Sequence, residues 1–327
     1  MSSSNRHART TLTRRLALAA VTTLLIGAAG GPEAIGAGPQ QRTFASPEEA
    51  VKALVEAARA EDTQALAAIL GPESGPLISS GDAVADKQAR ARFVQAYEQS
   101  NKLERPTDAK AVLVTGADGW PMPIPVVKEG DTWRFDTAAG KEEILNRRIG
   151  RNELNAIQVC LAYVDAQREY ARAPREADGL LKYATRFRSD KGKKNRLYWP
   201  SKEGEVQSPM GLLVANARAE GYPRRRSGGK PTPYHGYFYR ILTAQGPDAP
   251  GGAYDYVAEG KMIGGFALVA FPARYAASGV MTFIVSHQGV VYQKDLGADT
   301  ETIARDMKTF NPDSTWKKVE ESPPPGT

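Results

Sequence analysis

Hydrophobic residues recur with the period of an α-helix between positions 152 and 172. The polar residues of this segment occupy one narrow strip of the helical wheel, and apolar residues fill most of the remainder. A helix that covers a single layer needs an apolar stripe of roughly 100°, whereas this arc is about twice as wide. We therefore expect this helix to pack against a C-terminal sheet on one flank and against an N-terminal domain on the other, with Leu161 buried.

The pattern ahead of this helix predicts three shorter helices. The first begins after Ser46, whose side chain can cap it while Glu49 reaches back to the cap. The second begins after Asp62, and the third extends from about residue 84 to 100. Each carries its apolar residues on one face, so we expect the three to cover one side of a small N-terminal domain.

Three β-segments follow, at residues 109–116, 121–130 and 132–136. The second contains three prolines, which lack the backbone donor that a central strand needs, so it is expected to be an edge strand or irregular. Three helices followed by an antiparallel meander predict an α+β domain. This order of elements loosely resembles cystatin-like folds of the nuclear-transport-factor type.

A short helix is predicted from Thr137, with Gly150 at its end and Asn152 as the cap of the long helix. The domain boundary is placed at this join. The predicted organisation is a signal peptide at 1–37, an N-terminal α+β domain at 38–150, a helix-plus-antiparallel-sheet domain at 151–320 and a disordered tail at 321–327.

The C-terminal half is rich in predicted strands. Four apolar or alternating segments are expected to form one antiparallel sheet, at 237–242, 266–271, 281–285 and 290–293. The long helix would lie across this sheet, an arrangement similar to the soluble domains of pilin-like and pseudopilin proteins. The predicted fold class is therefore α+β, with a pilin-like second half.

The N-terminus has the pattern of an export signal. Arg14 and Arg15 precede a short apolar run from about residue 16 to 29, and small residues follow it. The run is too short for a membrane span, so we expect a cleaved signal peptide, export to the periplasm or the medium, and no transmembrane span afterwards. The Sec route is favoured, and the paired arginines leave the twin-arginine route as the alternative. Removal of 1–37 lowers the net charge from +6 to +3, because this segment holds four arginines and one glutamate.

Motifs of the common catalytic and cofactor-binding sites are absent from the sequence. It contains no HExxH motif, P-loop, GxSxG elbow or dinucleotide-binding glycine pattern, and only three histidines. Cys160 is the only cysteine and lies on the apolar arc of the long helix, which predicts a buried side chain rather than a nucleophile. We therefore assign no catalytic residue, no metal site and no cofactor.

Aromatic residues indicate a candidate pocket at the domain junction. Trp120 and Trp133 lie in the N-terminal β-segments, and Tyr237 and Tyr239 lie on one face of the first C-terminal strand. His235 precedes that strand, between a tyrosine and a glycine. These five residues are the candidate ligand-binding set. The alternatives are that the tryptophans only pack the sheet and that His235 makes a structural hydrogen bond.

Two loops of the C-terminal half are basic. Residues 182–196 include seven basic residues and one acidic residue, and a second group of basic residues lies within 224–230. If the loops converge on one face they would bind an anionic polymer or lipid head groups, and otherwise they are ordinary solvated surface. The candidate anion-binding residues are Arg186, Arg188, Lys191, Lys193, Lys194, Arg196, Arg224, Arg225 and Arg226.

Several long phrases resemble one known family. They include YVDAQREYA, PYHGYFYRILTAQGPDAPGGAYDYV and KMIGGFALVAFPARYAASGVMTFIVSHQGVVYQKDLG. These phrases are similar to the bacterial family known as domain of unknown function 2950, and the likeness extends from about residue 44 to 319. The family has no established activity, so the resemblance implies no catalytic residue.

The sequence as a whole predicts an exported, non-catalytic protein of envelope binding or assembly. Its partner would be an anionic envelope polymer or another envelope protein, and its oligomeric state is left open. Nucleic acid is not expected as a partner, because no basic groove lined with aromatic residues is visible. The alternative is a periplasmic small-molecule binder or a hydrolase-type enzyme with a pocket at the domain junction.

Overall fold

The structure is a computed structural model that describes residues 41–202, 204–223 and 231–320. Its helices and antiparallel sheets establish the α+β class. The described residues form one compact unit that contains two hydrophobic cores. We call them the N-terminal core, which includes Phe135, and the C-terminal core, which includes Phe283. The predicted signal peptide and C-terminal tail lie outside the described residues.

Four helices begin the described chain, and the N-termini of the first two follow the predicted capping chemistry. The Ser46 side chain accepts a hydrogen bond from the Glu49 amide at 3.1 Å, and the Glu49 carboxylate accepts one from Ala45 at 3.3 Å. Asp62 accepts from two amides of the second helix. The helices are α1 (Pro47–Arg59), α2 (Thr63–Leu70), α3 (Gly75–Ile78) and α4 (Ala83–Gln99).

The N-terminal sheet is antiparallel and its strands have the order β1-β2-β4-β5, with β3 paired to β2. The proline-rich segment is divided into two short strands, as expected where backbone donors are missing. One strand, β1, has no counterpart in the sequence prediction, because its residues are almost all polar and exposed. The strands are β1 (Asn101–Thr107), β2 (Lys110–Thr115), β3 (Trp120–Pro121), β4 (Val126–Glu129) and β5 (Thr132–Phe135).

A single helix, α5 (Thr137–Tyr170), joins the two halves of the chain. The predicted helix end at Gly150 and the predicted cap at Asn152 are therefore wrong. Gly150 lies in the helix interior, where a glycine costs only about 1 kcal/mol relative to alanine and does not have to end the helix. The Asn152 amide instead donates to the Ser278 carbonyl at 2.9 Å.

The C-terminal half contains one five-stranded antiparallel sheet with the order β15-β13-β12-β11-β6. The four strands predicted from the sequence are all in it, with ends shifted by at most two residues. Its strands are β6 (Tyr237–Leu242), β11 (Ala267–Pro272), β12 (Met281–Ser286), β13 (Val291–Asp295) and β15 (Lys317–Lys318).

Smaller elements surround that sheet. The C-terminal half also contains two short helices, and its remaining strands pair in two small sheets. They are α6 (Gly211–Ala219), β7 (Ala244–Gln245), β8 (Tyr254–Asp255), β9 (Val257–Ala258), β10 (Lys261–Met262), α7 (Thr300–Asp306) and β14 (Thr309–Phe310).

The C-terminal half of α5 lies on this sheet, as the apolar arc predicts. Tyr163 is fully buried, and its hydroxyl donates to the Ala267 carbonyl of β11 at 3.3 Å. The expected second flank is wrong, because Leu154 is 56% exposed and Leu161 37% exposed. Contact with the N-terminal region comes from the earlier turns of the same helix. The N-terminal region and the C-terminal sheet therefore pack against successive lengths of α5, not against opposite faces of the same turns.

The single cysteine gives a first prediction. Cys160 is fully buried on α5, and burial raises the pKa of its thiol to about 12. Because the thiolate is the reactive form, we expect no measurable reaction with a disulfide reagent at pH 8 in the native state. One equivalent should react once the chain is unfolded in guanidinium chloride. Full labelling of the native protein within minutes would contradict this burial.

Candidate functional site

A cavity with a volume of about 270 Å³ lies where α4 and α5 meet the segments after α6 and before β6. Helical spacing aligns its polar lining, since residues three, four and seven positions apart share one face. The residues that line it are Ser80, Ala85, Asp86, Gln88, Ala89 and Arg92 from the α4 region, Arg148, Arg151, Asn152 and Asn155 from α5, and Glu220 and His235.

Arg148 is fixed in the wall of this cavity. Its Nη1 donates to the Pro76 carbonyl at 2.6 Å, and its Nη2 donates to the Leu77 carbonyl at 2.5 Å. Burial lowers the pKa of Arg148, and the nearby Asp86 carboxylate partly offsets that effect. Arg148 therefore contributes positive charge to the cavity, while both of its Nη atoms are engaged by the chain.

Arg92 and Arg151 are the accessible cations of the cavity. In the three described ranges, neither side chain makes an ion pair or a hydrogen bond. Partial desolvation lowers the pKa of Arg151, and the positive charge of Arg92 lowers it further. The two guanidinium groups are therefore close enough to repel each other, and their hydrogen-bond donors are available to a ligand.

A buried carboxylate holds the cavity's two sides together. Asp82 has no exposed surface, and its Oδ1 accepts from the Ala85 amide at 3.1 Å as the N-cap of α4. Its Oδ2 accepts from the Tyr222 hydroxyl at 2.8 Å and from the Gly236 amide at 2.9 Å. One side chain thus connects the start of α4 with the segments before β6 and after α6.

His235 occupies a constrained position beside this carboxylate. Its φ of +51° lies in the left-handed region, which is uncommon for a residue with a side chain. Its amide donates to the Tyr222 hydroxyl at 3.1 Å, and its Nε2 lies 3.5 Å from a Glu220 carboxylate oxygen. Burial lowers the pKa of His235 below its usual value despite the nearby carboxylates, so the neutral imidazole is favoured near pH 7.

The five aromatic and histidine candidates do not gather in one place. His235 lines the cavity. Trp133 lies in the N-terminal core and Tyr237 in the C-terminal core, where its hydroxyl donates to the Met281 carbonyl at 2.9 Å. Trp120 is 47% exposed with Arg147 stacked 4.0 Å from its ring, and the Tyr239 hydroxyl donates to the Tyr234 carbonyl at 3.4 Å.

The arginines of the cavity were missed by the sequence prediction. A signal for them existed, because Arg148, Arg151 and Asn155 recur at helical spacing and the last two begin the polar strip of the long helix. No function was assigned to that strip from the sequence. The opposing face of α4 could not have been recognised, since no pattern indicates which helix it meets.

The loop at 182–196 neutralises part of its own charge. Lys182 is 7% exposed and pairs with Asp178 at 2.7 Å and with Glu176 at 2.9 Å. Arg196 pairs with Glu176 at 3.2 Å, and Arg186 with Asp190 at 3.1 Å. The acids at 176 and 178 precede the segment in which the basic residues were counted, so that count overstated the available charge.

The other basic candidates are placed as follows. Lys191, Lys193 and Lys194 are exposed together in one turn of this loop. The backbone of Arg188 forms an isolated bridge with Tyr198. Residues 224–226 lie outside the described residues, so convergence of the two basic loops stays a prediction.

These features define the class of protein: an α+β chain with a polar, arginine-lined cavity between its N-terminal and C-terminal parts. A family model described as "Protein of unknown function (DUF2950)" matches residues 41–319, and the chain belongs to that family. The resemblance seen in the sequence is thereby confirmed. No curated protein and no solved structure matches the chain, so the pilin-like likeness stays a prediction. Among the described residues, no helix is long and apolar enough to cross a membrane.

Proposed function

We propose that this chain is an exported binding protein that holds a small anionic solute in the cavity between α4 and α5. The observation that carries the proposal is the pair Arg92 of α4 and Arg151 of α5, two accessible guanidinium groups that line the cavity without ion-pair partners in the described residues. Like charges held close together cost free energy, and an anion between them removes that cost. Arginine is well suited to this role because its planar fork binds oxyanions in a bidentate manner.

The volume of the cavity favours a small solute over an extended polymer as the ligand. Its volume of about 270 Å³ is just below the usual range of small-molecule sites, which is about 300–1,000 Å³. The competing proposal of an anionic envelope polymer depends on the basic loops. There, Lys182, Arg186 and Arg196 are already paired with acidic residues of the same region, which leaves less charge for a polymer.

The proposed compartment rests on the leader sequence, whose basic start, short apolar run and small residues are typical of a cleaved signal.

Binding is preferred to catalysis because the groups around His235 already have structural partners. The Tyr222 hydroxyl donates to Asp82 and accepts from the His235 amide, so it is committed to the junction.

A titration experiment tests the proposed function. Isothermal titration of the full chain with succinate, sulfate and inorganic phosphate should show binding of at least one of them. Arg151→Gln should weaken that binding roughly tenfold or more, since a hydrogen bond to a charged group contributes about 1.5–3 kcal/mol. The matched control is Arg172→Gln, which removes an exposed arginine of the same chain segment that does not line the cavity.

The control should bind with the affinity of the unmodified chain. Absence of binding by all three anions would refute the proposed function. So would equal loss of binding in both variants, because the effect would then come from overall charge rather than from the cavity.

A further inference from the structure

We propose that the groove between α5 and the start of α6 is a docking surface for a basic amphipathic helix of another protein. The groove shares no lining residue with the arginine-lined cavity, so this inference is independent of the proposed anion binding. It is carried by the uncovered part of the apolar arc of α5, by the apolar floor of the groove and by the carboxylates along its edge.

The apolar arc of α5 is wider than the part that the C-terminal sheet covers. Tyr163 and Val164 are buried on the covered side, whereas Leu154 is 56% exposed and Leu161 is 37% exposed. The two exposed leucines are seven positions apart and therefore lie on the same face of the helix. Leu161 also lies one turn before Asp165, which lines the groove, so the exposed leucines continue the groove along α5.

The floor of the groove is apolar and its edge is open to solvent. Ala162 and Ala166 form the α5 side, one turn apart, and Met210 and Leu212 come from the start of α6. Ala166 and Met210 are buried, whereas Leu212 is 77% exposed. The groove has a volume of about 210 Å³. An exposed apolar patch bordered by polar residues is typical of a protein-protein contact surface.

The charge of the groove is negative. Asp165 and Glu169 line it one turn apart, and no basic residue of the described chain is part of the lining. The Asp165 side chain is 80% exposed, and its ion pair with Arg168 has a length of 4.0 Å. Arg168 also donates to the His287 carbonyl at 3.0 Å. Glu169 makes no ion pair or hydrogen bond within residues 41–202, 204–223 and 231–320. Lysine or arginine side chains of a partner would complement this edge.

A helix is the partner geometry that suits this surface. The groove residues of α5 are spaced by three, four and seven positions, so they form a straight wall along one side of the helix axis. Amphipathic helices bind such grooves with apolar side chains at the same spacing. The apolar side chains of the partner would cover Leu212, and its basic side chains would face Asp165 and Glu169.

A second copy of this chain fits the groove less well than a basic partner does. A two-fold symmetric dimer brings the same surface patch of both copies together. Asp165 and Glu169 of one copy would then face the same carboxylates of the other. Like charges placed opposite each other disfavour such a contact, so we expect the full chain to be monomeric at micromolar concentration.

The test uses two synthetic helical peptides with leucines at positions i, i+3, i+4 and i+7. The polar positions are lysine in one peptide and glutamate in the other. Each peptide carries a fluorescent label and is titrated with the full chain at pH 7.5 and about 0.1 M salt, where charges more than about 10 Å apart are screened. We expect the lysine peptide to bind at least about tenfold more tightly than the glutamate peptide. Because the net charge of the full chain is +6, overall attraction would favour the glutamate peptide.

Two matched pairs of variants locate the binding. Leu212→Ala should weaken binding of the lysine peptide roughly tenfold, since a leucine covered by the partner contributes through its apolar area. Its control is Leu181→Ala, which changes a leucine that is 59% exposed and does not line the groove. Glu169→Gln should weaken binding about two- to fivefold, because an exposed ion pair contributes little. Its control is Glu142→Gln, an exposed glutamate of α5 outside the groove. All four variants should keep the melting temperature of the unmodified chain.

The outcomes decide the proposal directly. Affinity for the lysine peptide that is lost in Leu212→Ala and kept in Leu181→Ala supports the groove as the docking surface. A dissociation constant weaker than about 1 mM for the lysine peptide overturns the proposal. Equal affinity for the two peptides, or equal losses in a variant and its control, does the same. Sedimentation equilibrium checks the competing occupant, because a dimer that Leu212→Ala dissociates would mean that a second copy covers the groove.

Discussion

Replacing Asp82 with alanine is expected to lower the free energy of unfolding by roughly 3–5 kcal/mol, the largest loss we expect from removing a single side chain. Asp82 is fully buried and holds three separate segments through its two carboxylate oxygens. Its removal would leave the Tyr222 hydroxyl and the Gly236 amide without their acceptor. Each buried group that loses its partner costs about 1–3 kcal/mol.

The loss of the helix cap adds to this cost. The Ala85 amide donates to Asp82 in the first turn of α4, and substitution of a capping aspartate by alanine costs about 1 kcal/mol. Part of the sum is offset, because alanine also removes the free energy of burying a carboxylate. The measurement is chemical denaturation of the unmodified chain and the variant under the same conditions.

Asp62→Ala is the matched control. Asp62 is also an N-cap aspartate, and its carboxylate accepts from the Gln64 and Ala65 amides, but it is exposed and connects no distant segment. Its replacement should cost about 1 kcal/mol. If Asp82→Ala proves as mild as Asp62→Ala, the carboxylate does not hold the junction in the way described.

The two aspartates show how far the sequence could be interpreted. Both are helix caps, and capping is a local property that three or four consecutive residues determine. The cap at Asp62 was accordingly predicted from the sequence. The second role of Asp82 depends on Tyr222 and Gly236, which follow it by 140 and 154 positions. No local pattern indicates such a contact.

The candidate site was predicted less well than the fold for the same reason. Four strands of the C-terminal sheet are marked by apolar residues and could be found from their own composition, whereas the fifth, β15, consists of two exposed lysines and was not predicted. The cavity is defined by polar residues of two helices whose pairing is set by packing. An arginine on a polar strip has the same sequence pattern whether it faces bulk water or a cavity, so Arg92 and Arg151 were passed over.

The interior of α5 gives the second large prediction. Gly140 is buried against the proline-rich segment before β4, and a Cβ placed on it would lie 2.4 Å from the carbonyl carbon and oxygen of Pro123. Those are backbone atoms in a strand connection, so they cannot move aside as a flexible side chain would. Gly140→Ala should lower the free energy of unfolding by about 3 kcal/mol, since overpacking typically costs 1–3 kcal/mol and here has little room for relaxation.

Gly150→Ala on the same helix should have the opposite sign. No atom lies within 4 Å of a Cβ at position 150, so only the helix propensity changes, and alanine is favoured over glycine by roughly 1 kcal/mol in a helix interior. Denaturation curves of the two variants therefore test both the continuity of α5 and its contact with Pro123. A destabilised Gly150→Ala would indicate a break in the helix at that position, and a neutral Gly140→Ala would mean that α5 does not approach the proline-rich segment so closely.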